Sequence, residues 1–149
     1  MKTPDTPFRM NLDGEWRFRR DTLRTGTDER WYATSADRSA WTAVAVPDFW
    51  ERYPGMAAYD GWGWFARTVR LASVPSEVSL HFAGVDDEAT VWVNGTEVGD
   101  HAGYTDPFAL DVSRALKEGE NSVVVLVKDN GGGRRHLPTG NAHRHAIAR

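Results

Sequence analysis

Alternation of apolar and polar residues dominates the middle of the chain. The alternation runs from Val78 to Phe82 and resumes from Ala89 to Val93, on either side of a Gly-Val-Asp-Asp corner. Asn94-Gly95 follows directly, and this dipeptide accepts the positive φ angles of a two-residue hairpin turn. The pattern therefore predicts two half-buried strands and a tight hairpin into a third strand.

Four other segments have the period of a strand. In the last of them, Val123, Val125 and Val127 alternate with Val124 and Leu126, so both of its faces are apolar. A strand that is apolar on both faces is typical of the centre of a sheet. The four segments are residues 15–19, 41–46, 64–71 and 122–128.

The segments between these strands have the composition of loops. Residues 21–40 are polar, with Trp31 and Tyr32 as lone anchors, and predict a long loop. Residues 113–119 predict a single helical turn with Ser113 as N-cap and Gly119 as stop. Trp92 alternates away from its valine neighbours, so we expect it to pack and to face either a second sheet or solvent. About eight strands with hardly any helix predict an all-β fold, a two-sheet antiparallel β-sandwich.

Length and composition limit the domain organisation and the classes of partner. The chain has 149 residues, the size of one domain. We expect a loose lead-in over residues 1–10, one β-sandwich domain over 11–130 and a Gly-rich basic tail, mobile or loosely packed, over 131–149. The net charge of −3 predicts no nucleic-acid partner, and no apolar run predicts a membrane partner.

The amino-terminal residues bear on the compartment, whereas the absence of cysteine does not decide it. The first 14 residues contain no apolar run that could serve as a secretory signal. The chain has no cysteine, which rules out disulfides and thiol chemistry. We therefore expect a cytoplasmic protein.

Several motifs occur in a familiar order. LDGEWRF occupies residues 12–18, Val46-Pro47 precedes a Tyr59-x-Gly61-x-x-Trp64-Phe65-x-Arg67 run, and FAGVDDEATVWVNGTEVGDHAGYTDPFALDVS follows from residue 82. In combination they resemble the N-terminal sugar-binding domain of glycoside hydrolase family 2 enzymes, which include β-galactosidases, β-glucuronidases and β-mannosidases. The resemblance covers about residues 11–130 and implies a jelly-roll connectivity like that of galactose-binding domains.

Catalysis by this chain is not expected. A glycosidase holds two carboxyl groups on opposite sides of a glycosidic bond. The densest acidic cluster, Asp86-Asp87-Glu88, does not satisfy this, because adjacent residues of a strand point to opposite faces. In the resembled family the catalytic glutamates sit in a later (β/α)₈ barrel, so we expect this chain to have no hydrolytic activity alone.

Carbohydrate binding needs flat aromatic surfaces and a few convergent polar groups. The aromatic loop over residues 49–64 supplies both, although Trp50 and Trp64 are better explained as core residues. For the residues at its tip, packing and binding remain equally good interpretations. The resemblance implies that this loop borders an active-site mouth, that Asp60 lends a polar group to a terminal sugar, and that a "DN" pair lies nearby. The candidate carbohydrate-binding residues are Tyr59, Asp60, Trp62, Tyr104, Asp129 and Asn130.

Metal binding has little support in the sequence. The histidines of the tail, His136, His143 and His145, lack a fixed fourth ligand, so we predict no transition-metal site and no cofactor. Sandwich domains of this shape often carry a structural Ca²⁺, to which Asp13, Asp21 or Asp129 could contribute oxygens. The sequence contains no recognisable calcium loop.

Two classes of function remain. The first is a non-catalytic carbohydrate-binding or scaffolding module. The second is a purely structural domain, without sugar affinity, that packs on a catalytic barrel or self-associates. An exposed apolar patch would favour the second.

Overall fold

The computed structural model describes residues 9–46, 61–85, 88–102, 107–128 and 145–147, with backbone alone for 83–85 and 145–147. This part of the chain contains no helix. The strands are β1 (Gly14–Asp21), β2 (Thr42–Val46), β3 (Trp62–Leu71), β4 (Ser79–Val85), β5 (Glu88–Val93), β6 (Thr96–Ala102), β7 (Phe108–Asp111), β8 (Gly119–Lys128) and β9 (His145–Ile147).

Two antiparallel sheets form the domain. The larger has the strand order β2-β1-β3-β8-β5-β6 and the smaller has the order β7-β4-β9. The two sheets and the absence of helix confirm the predicted all-β sandwich. β8 lies between β3 and β5, as its two apolar faces predicted. β4 and β5 belong to different sheets, so the corner between them carries the chain from one sheet to the other.

The main core lies between the sheets. Alternate residues of the large sheet point into it, among them Trp16, Phe18 and Phe65, each at most 4% exposed. The small sheet contributes Leu80 and Phe82. The Phe18 and Phe65 rings meet at 4.9 Å between centroids, across the β1–β3 pair. The period-two pattern thus correctly predicted the inward faces of β1 and β4, whereas β3 and β5 bury residues on both faces.

A second core covers the outer face of the large sheet. Trp64 and Trp92 from the sheet are buried there, under Trp31 and Tyr32 from the loop between β1 and β2. Tyr32 stacks on Trp92 at 4.8 Å, and Trp92 stacks on Trp64 at 5.2 Å. The prediction that Trp92 packs is right. Its predicted location, against a second sheet or in solvent, is wrong, because the loop between β1 and β2 covers it. Trp41, at the end of the same loop, is also buried in this core.

Asp21 fastens this loop to the sheet. The Asp21 side chain, 2% exposed, accepts hydrogen bonds from the backbone N–H of Thr25 (2.9 Å) and Gly26 (2.8 Å) and from Trp64 Nε1 (2.9 Å). Three donors thus satisfy the carboxylate at the point where β1 ends. The contribution of Asp21 to a calcium site stays a prediction.

The predicted hairpin forms at Asn94-Gly95. Both residues have positive φ angles, 52° and 81°. The Asn94 side chain also binds outside the turn: its Nδ2 donates to Ala115 O and to Asn121 Oδ1, and its Oδ1 accepts from Ser122 N. The Asn94-Gly95 pair therefore sets the turn and also anchors the segment before β8.

The predicted helical turn at residues 113–119 is wrong. Ser113 Oγ accepts a hydrogen bond from Val78 N at 2.8 Å and donates to Asp111 Oδ1 at 2.6 Å, and only a turn follows. Asn121 Oδ1 then accepts from Lys117 N, and Asn121 Nδ2 donates to Lys117 O. These side chains satisfy the backbone groups that a helical turn would have paired.

β9 was not predicted from the sequence. His145–Ile147 pairs antiparallel with β4, with a register shift between Phe82 and Gly84. The segment is three residues long and lies in a stretch without periodicity, so no local signal marked it. The division into lead-in, domain and tail stays a prediction.

Candidate functional site

Five strands of the large sheet end in one row. Asp21 of β1 pairs with Trp62 of β3, and Trp62 pairs with Lys128 of β8. Lys128 pairs with Glu88 of β5, and Glu88 pairs with Ala102 of β6. We call this set the strand-end row. It defines one end of the sheet.

The strand-end row is where the sequence-predicted site residues attach. Asp60 is two residues before Trp62, Asp129 directly follows Lys128, and Tyr104 is two residues after Ala102. The register places the strand ends that precede or follow these candidates along one end of the sheet, with Trp62 and Ala102 about 14 Å apart. Of those candidates, Tyr59, Asp60, Tyr104, Asp129 and Asn130 lie outside the described residues, and only Trp62 is described.

Trp62 begins β3 and is half-buried. The predicted strand started at residue 64, so Trp62 belongs to the sheet rather than to the aromatic loop. It contacts the second core on the outer face. The Lys128 Nζ lies 4.5 Å from its ring centroid and the Arg24 Cζ lies 5.7 Å away, both within the range of cation–π attraction. An indole and two cations therefore meet at this end of the sheet.

Sequence reasoning missed both Arg24 and Lys128. The position of Lys128 could have been predicted from the alternation of β8, because Lys128 shares a face with Val124 and Leu126. That face is the outer one. Arg24 has no comparable signal. It sits in a turn closed by a hydrogen bond from its N–H to Asp21 O at 3.1 Å, and its φ of 59° is unusual for a residue other than glycine.

Other arginines on this face fasten the loop. Arg38 Nη2 donates to the carbonyls of Trp31 (3.0 Å) and Ala33 (2.8 Å), and burial lowers the pKa of the Arg38 guanidinium. The Arg19 Cζ lies 3.9 Å from the Trp31 ring centroid. Arg17 donates to Trp41 O at 3.1 Å. Their contacts hold the loop that covers the sheet, which leaves the Trp62 end as the candidate for binding.

The acidic cluster gives no catalytic pair within the described residues. Glu88 is exposed on β5, and Asp86 and Asp87 lie outside the described residues. No three of the described His, Asp or Glu side chains are grouped so that they could hold a metal ion. The tail histidines His136 and His143, the side chain of His145 and the carboxylate of Asp129 lie outside the described part.

A second opening lies between the two sheets. It has a volume of about 810 Å³ and is lined mainly by apolar core residues, with a few polar side chains at its rim. Its walls include Leu12, Leu80 and Val123.

Leu23, on the loop, is the large apolar side chain that stands out among the described residues, at 81% exposed. The described part of the chain contains no helix that is long and apolar enough to cross a membrane.

The sequence matches one family over most of its length. The family described as "Glycosyl hydrolases family 2, sugar binding domain" matches residues 9–133. A β-glucuronidase of Felis catus is 30% identical over 123 residues, which cover 74% of this chain and 19% of that protein. A β-galactosidase of Arthrobacter sp. (strain B7) is 30% identical over 156 residues, which cover 79% of this chain and 15% of that protein.

Solved structures show the same architecture. A β-glucuronidase of an uncultured Clostridium sp. superposes with a TM-score of 0.71 at 27% identity, covering 85% of this chain and 24% of that one. The Ruminococcus gnavus β-glucuronidase in complex with uronic isofagomine superposes with a TM-score of 0.74 at 26% identity, covering 92% and 25%. The chain spans a fifth or less of these curated relatives, and its matched residues correspond to the sugar-binding domain without a catalytic barrel. This chain belongs to the sugar-binding domain family of the family 2 glycosyl hydrolases.

Proposed function

We propose that this chain is a non-catalytic carbohydrate-binding module that presents the strand-end row to a sugar. The observation that carries the proposal is the register: one row of paired residues brings the half-buried indole of Trp62 to the strand ends where the polar candidates attach. A sugar ring binds to an aromatic face flanked by hydrogen-bonding groups. The relatives are β-glucuronidases and a β-galactosidase, which makes β-glycosides the class of sugar to test.

Hydrolysis belongs, in this proposal, to another part of a longer enzyme. Asp21, the buried carboxylate near the strand-end row, is held by three hydrogen-bond donors, which suits a structural acid better than a catalytic one. The chain incubated with p-nitrophenyl β-glucuronide or β-galactoside should release no p-nitrophenol above the uncatalysed background. Measurable turnover would overturn this part of the proposal.

Binding can be measured on the indole itself. Titration with phenyl β-D-glycosides should shift the NMR signal of the Trp62 indole N–H, and Trp62→Leu should abolish the binding measured by calorimetry. Trp31→Leu is the control, because Trp31 is an indole on the same face that packs on Trp41 and Trp64 and is not a member of the strand-end row. Circular dichroism verifies that both variants fold. Absence of binding by the unaltered chain, or equal binding by Trp62→Leu, would contradict the proposal.

A purely structural function is the second candidate, and the opening between the sheets favours it. A largely apolar cavity of about 810 Å³ that opens to the surface is typical of a surface that another domain or a second copy covers. This function predicts self-association in light scattering coupled to size-exclusion chromatography, together with no response to any glycoside. A strict monomer that binds glycosides supports the carbohydrate-binding function instead.

A further inference from the structure

Two positive charges converge on one indole at the end of the outer face. Lys128 Nζ is 4.5 Å and Arg24 Cζ is 5.7 Å from the centroid of the Trp62 ring. We call Arg24, Trp62 and Lys128 the cationic patch. Its three members come from the loop after β1, the start of β3 and the end of β8, so the tertiary fold alone brings them together.

Among the described residues, neither cation of the patch forms an ion pair with a carboxylate. Arg70, by contrast, lies 3.9 Å from a carboxylate oxygen of Glu120, and Arg38 and Arg67 donate to backbone carbonyls. Within the part of the chain that the structure describes, Arg24 and Lys128 make no ion pair, and their ring contacts with Trp62 are their side-chain interactions. Two like charges held near each other disfavour one another unless an anion neutralises them.

Arg24 is also held in a costly backbone conformation. Its φ of 59° lies in the left-handed region, which a non-glycine residue adopts at a cost of free energy. Strained residues of this kind concentrate at ligand sites. Arg30 has almost the same φ, 58°, in the same loop, is exposed, and has no ring contact among the described residues. The strain alone therefore does not mark a site, but Arg30 provides a matched control for Arg24.

We propose that the cationic patch binds the carboxylate of an acidic saccharide, with the sugar ring against the accessible part of Trp62. The inference rests on the proposed carbohydrate-binding function and names the class of sugar. A guanidinium donates two parallel hydrogen bonds to a carboxylate, and an ammonium adds a point charge beside it. The indole contacts keep both cations near the position of the anion, which lowers the entropy cost of binding.

Glu88 opposes this preference. Glu88 on β5 lies opposite Lys128 on β8 in the strand register, and its side chain is exposed. Directly opposite side chains in an antiparallel pair share a face, with Cβ atoms about 5 Å apart. A negative charge at this position lowers the affinity for an anion, so Glu88→Gln should bind the acidic sugar more tightly and the neutral sugar unchanged.

The test compares two sugars that differ only at C6. Phenyl β-D-glucuronide carries a carboxylate where phenyl β-D-glucoside carries a hydroxymethyl group. The chain should bind the glucuronide about fivefold more tightly at low ionic strength, as measured by calorimetry, and the difference should shrink as salt screens the exposed charges. Inorganic phosphate at the same concentration should not reproduce the shift of the Trp62 indole N–H.

Arg24→Gly and Arg30→Gly are the decisive variants. Both relieve the same backbone strain, so both should retain or gain resistance to urea. Arg24→Gly should abolish the preference for the glucuronide, whereas Arg30→Gly should keep it. Lys128→Gln should reduce the preference in the same direction as Arg24→Gly.

Each result decides between the two proposals. Equal affinity for glucuronide and glucoside overturns the acidic-sugar inference and leaves the carbohydrate-binding function standing. Binding of neither sugar overturns both. Loss of preference in Arg24→Gly and Arg30→Gly alike, or an equal response to phosphate, also overturns the inference, because the charge would then act without contact to a bound sugar.

Discussion

Asp21 and Gly26 form the tightest contact between the loop and the sheet. A side chain at Gly26 would begin 2.6 Å from Trp64 Nε1 and 2.8 Å from Asp21 Oδ2, where no real Cβ fits. The absence of a side chain lets the Gly26 N–H reach the carboxylate. Neither the buried acid nor the glycine forms part of a periodic pattern, so the sequence did not indicate their pairing.

Gly26→Ala should destabilise the chain by about 1–3 kcal/mol, the usual cost of overpacking a filled site. Urea unfolding followed by fluorescence measures the loss. Thr27→Ala is the control: Thr27 is exposed and the next residue of the same loop, so its effect should stay within about 0.5 kcal/mol. Equal stability of Gly26→Ala and the unaltered chain would show that the loop can move away from Trp64.

Ser113 lowers the pKa of Asp111. Its hydroxyl and then its backbone N–H donate to the Asp111 carboxylate and favour the ionised form. A carboxyl group whose pKa is lowered by folding stabilises the folded state at pH values above its pKa in the unfolded chain. That stabilisation is lost as the pH falls through the pKa of the folded state. Acid titration below the ordinary value of 3.8 should therefore weaken this turn.

Ser113→Ala should raise the pKa of Asp111 back towards 3.8, because the largest cause of the lowering is removed. A carboxyl ¹³C NMR titration measures the change. Asp37 is an internal control, since Ser39 lowers its pKa through the same kinds of hydrogen bond elsewhere in the chain. An unchanged Asp111 value, or an equal shift at Asp37, would contradict the assignment.

At the scale of elements, the β5–β6 hairpin and the turn before β8 act as one unit. Asn94 supplies the turn conformation that its Gly95 neighbour completes, and its side chain reaches across to Ala115 and Asn121. The dipeptide predicted the hairpin from the sequence. The side-chain bonds of Asn94 join residues about 20 or more positions apart in the chain, which local patterns do not encode.

Replacement of Asn94 separates the two roles. Asn94→Gly keeps a residue that tolerates positive φ but removes three side-chain hydrogen bonds, and should cost about 2–3 kcal/mol in urea unfolding. Asn94→Asp keeps the Oδ1 acceptor but sets an anionic oxygen against Ala115 O and Asn121 Oδ1, so it should cost at least as much as Asn94→Gly. If Asn94→Gly were as stable as the unaltered chain, the residue would act through the turn alone.

At the scale of the whole molecule, the large sheet is shared by two cores. β3, β5 and β8 bury one face against the small sheet and the other under the loop between β1 and β2. Inside the loop, Trp31, Tyr32 and Trp41 carry the apolar contacts. The loop therefore forms a third layer of the molecule.

Tyr32→Ala should release this layer while the sandwich persists. Loss of the stack on Trp92 should cost about 1–3 kcal/mol. Hydrogen exchange should rise at residues 24–36 and stay slow in β3 and β8. Leu23→Ala is the control: because Leu23 is 81% exposed, the variant should change neither the free energy of unfolding nor the hydrogen exchange of the loop. Faster exchange throughout both sheets of Tyr32→Ala would instead show that the loop and the sandwich unfold together.

The sequence by itself determined most of the strands, the faces that they turn to the main core, the Asn94-Gly95 hairpin and the central place of β8. These features depend on neighbours in the chain, because a strand repeats every two residues and a tight turn needs particular residues. The motifs also indicated the family that the comparisons show.

Only the tertiary structure decided which residues meet. The alternation at Trp92 marked a face but not the loop that covers it, and no local rule placed Arg24 beside Trp62 and Lys128. Strand register and loop docking join residues far apart in the chain, and their free energy depends on packing that a pattern of single residues does not contain. The strand-end row, and with it the candidate site, is a product of that long-range register.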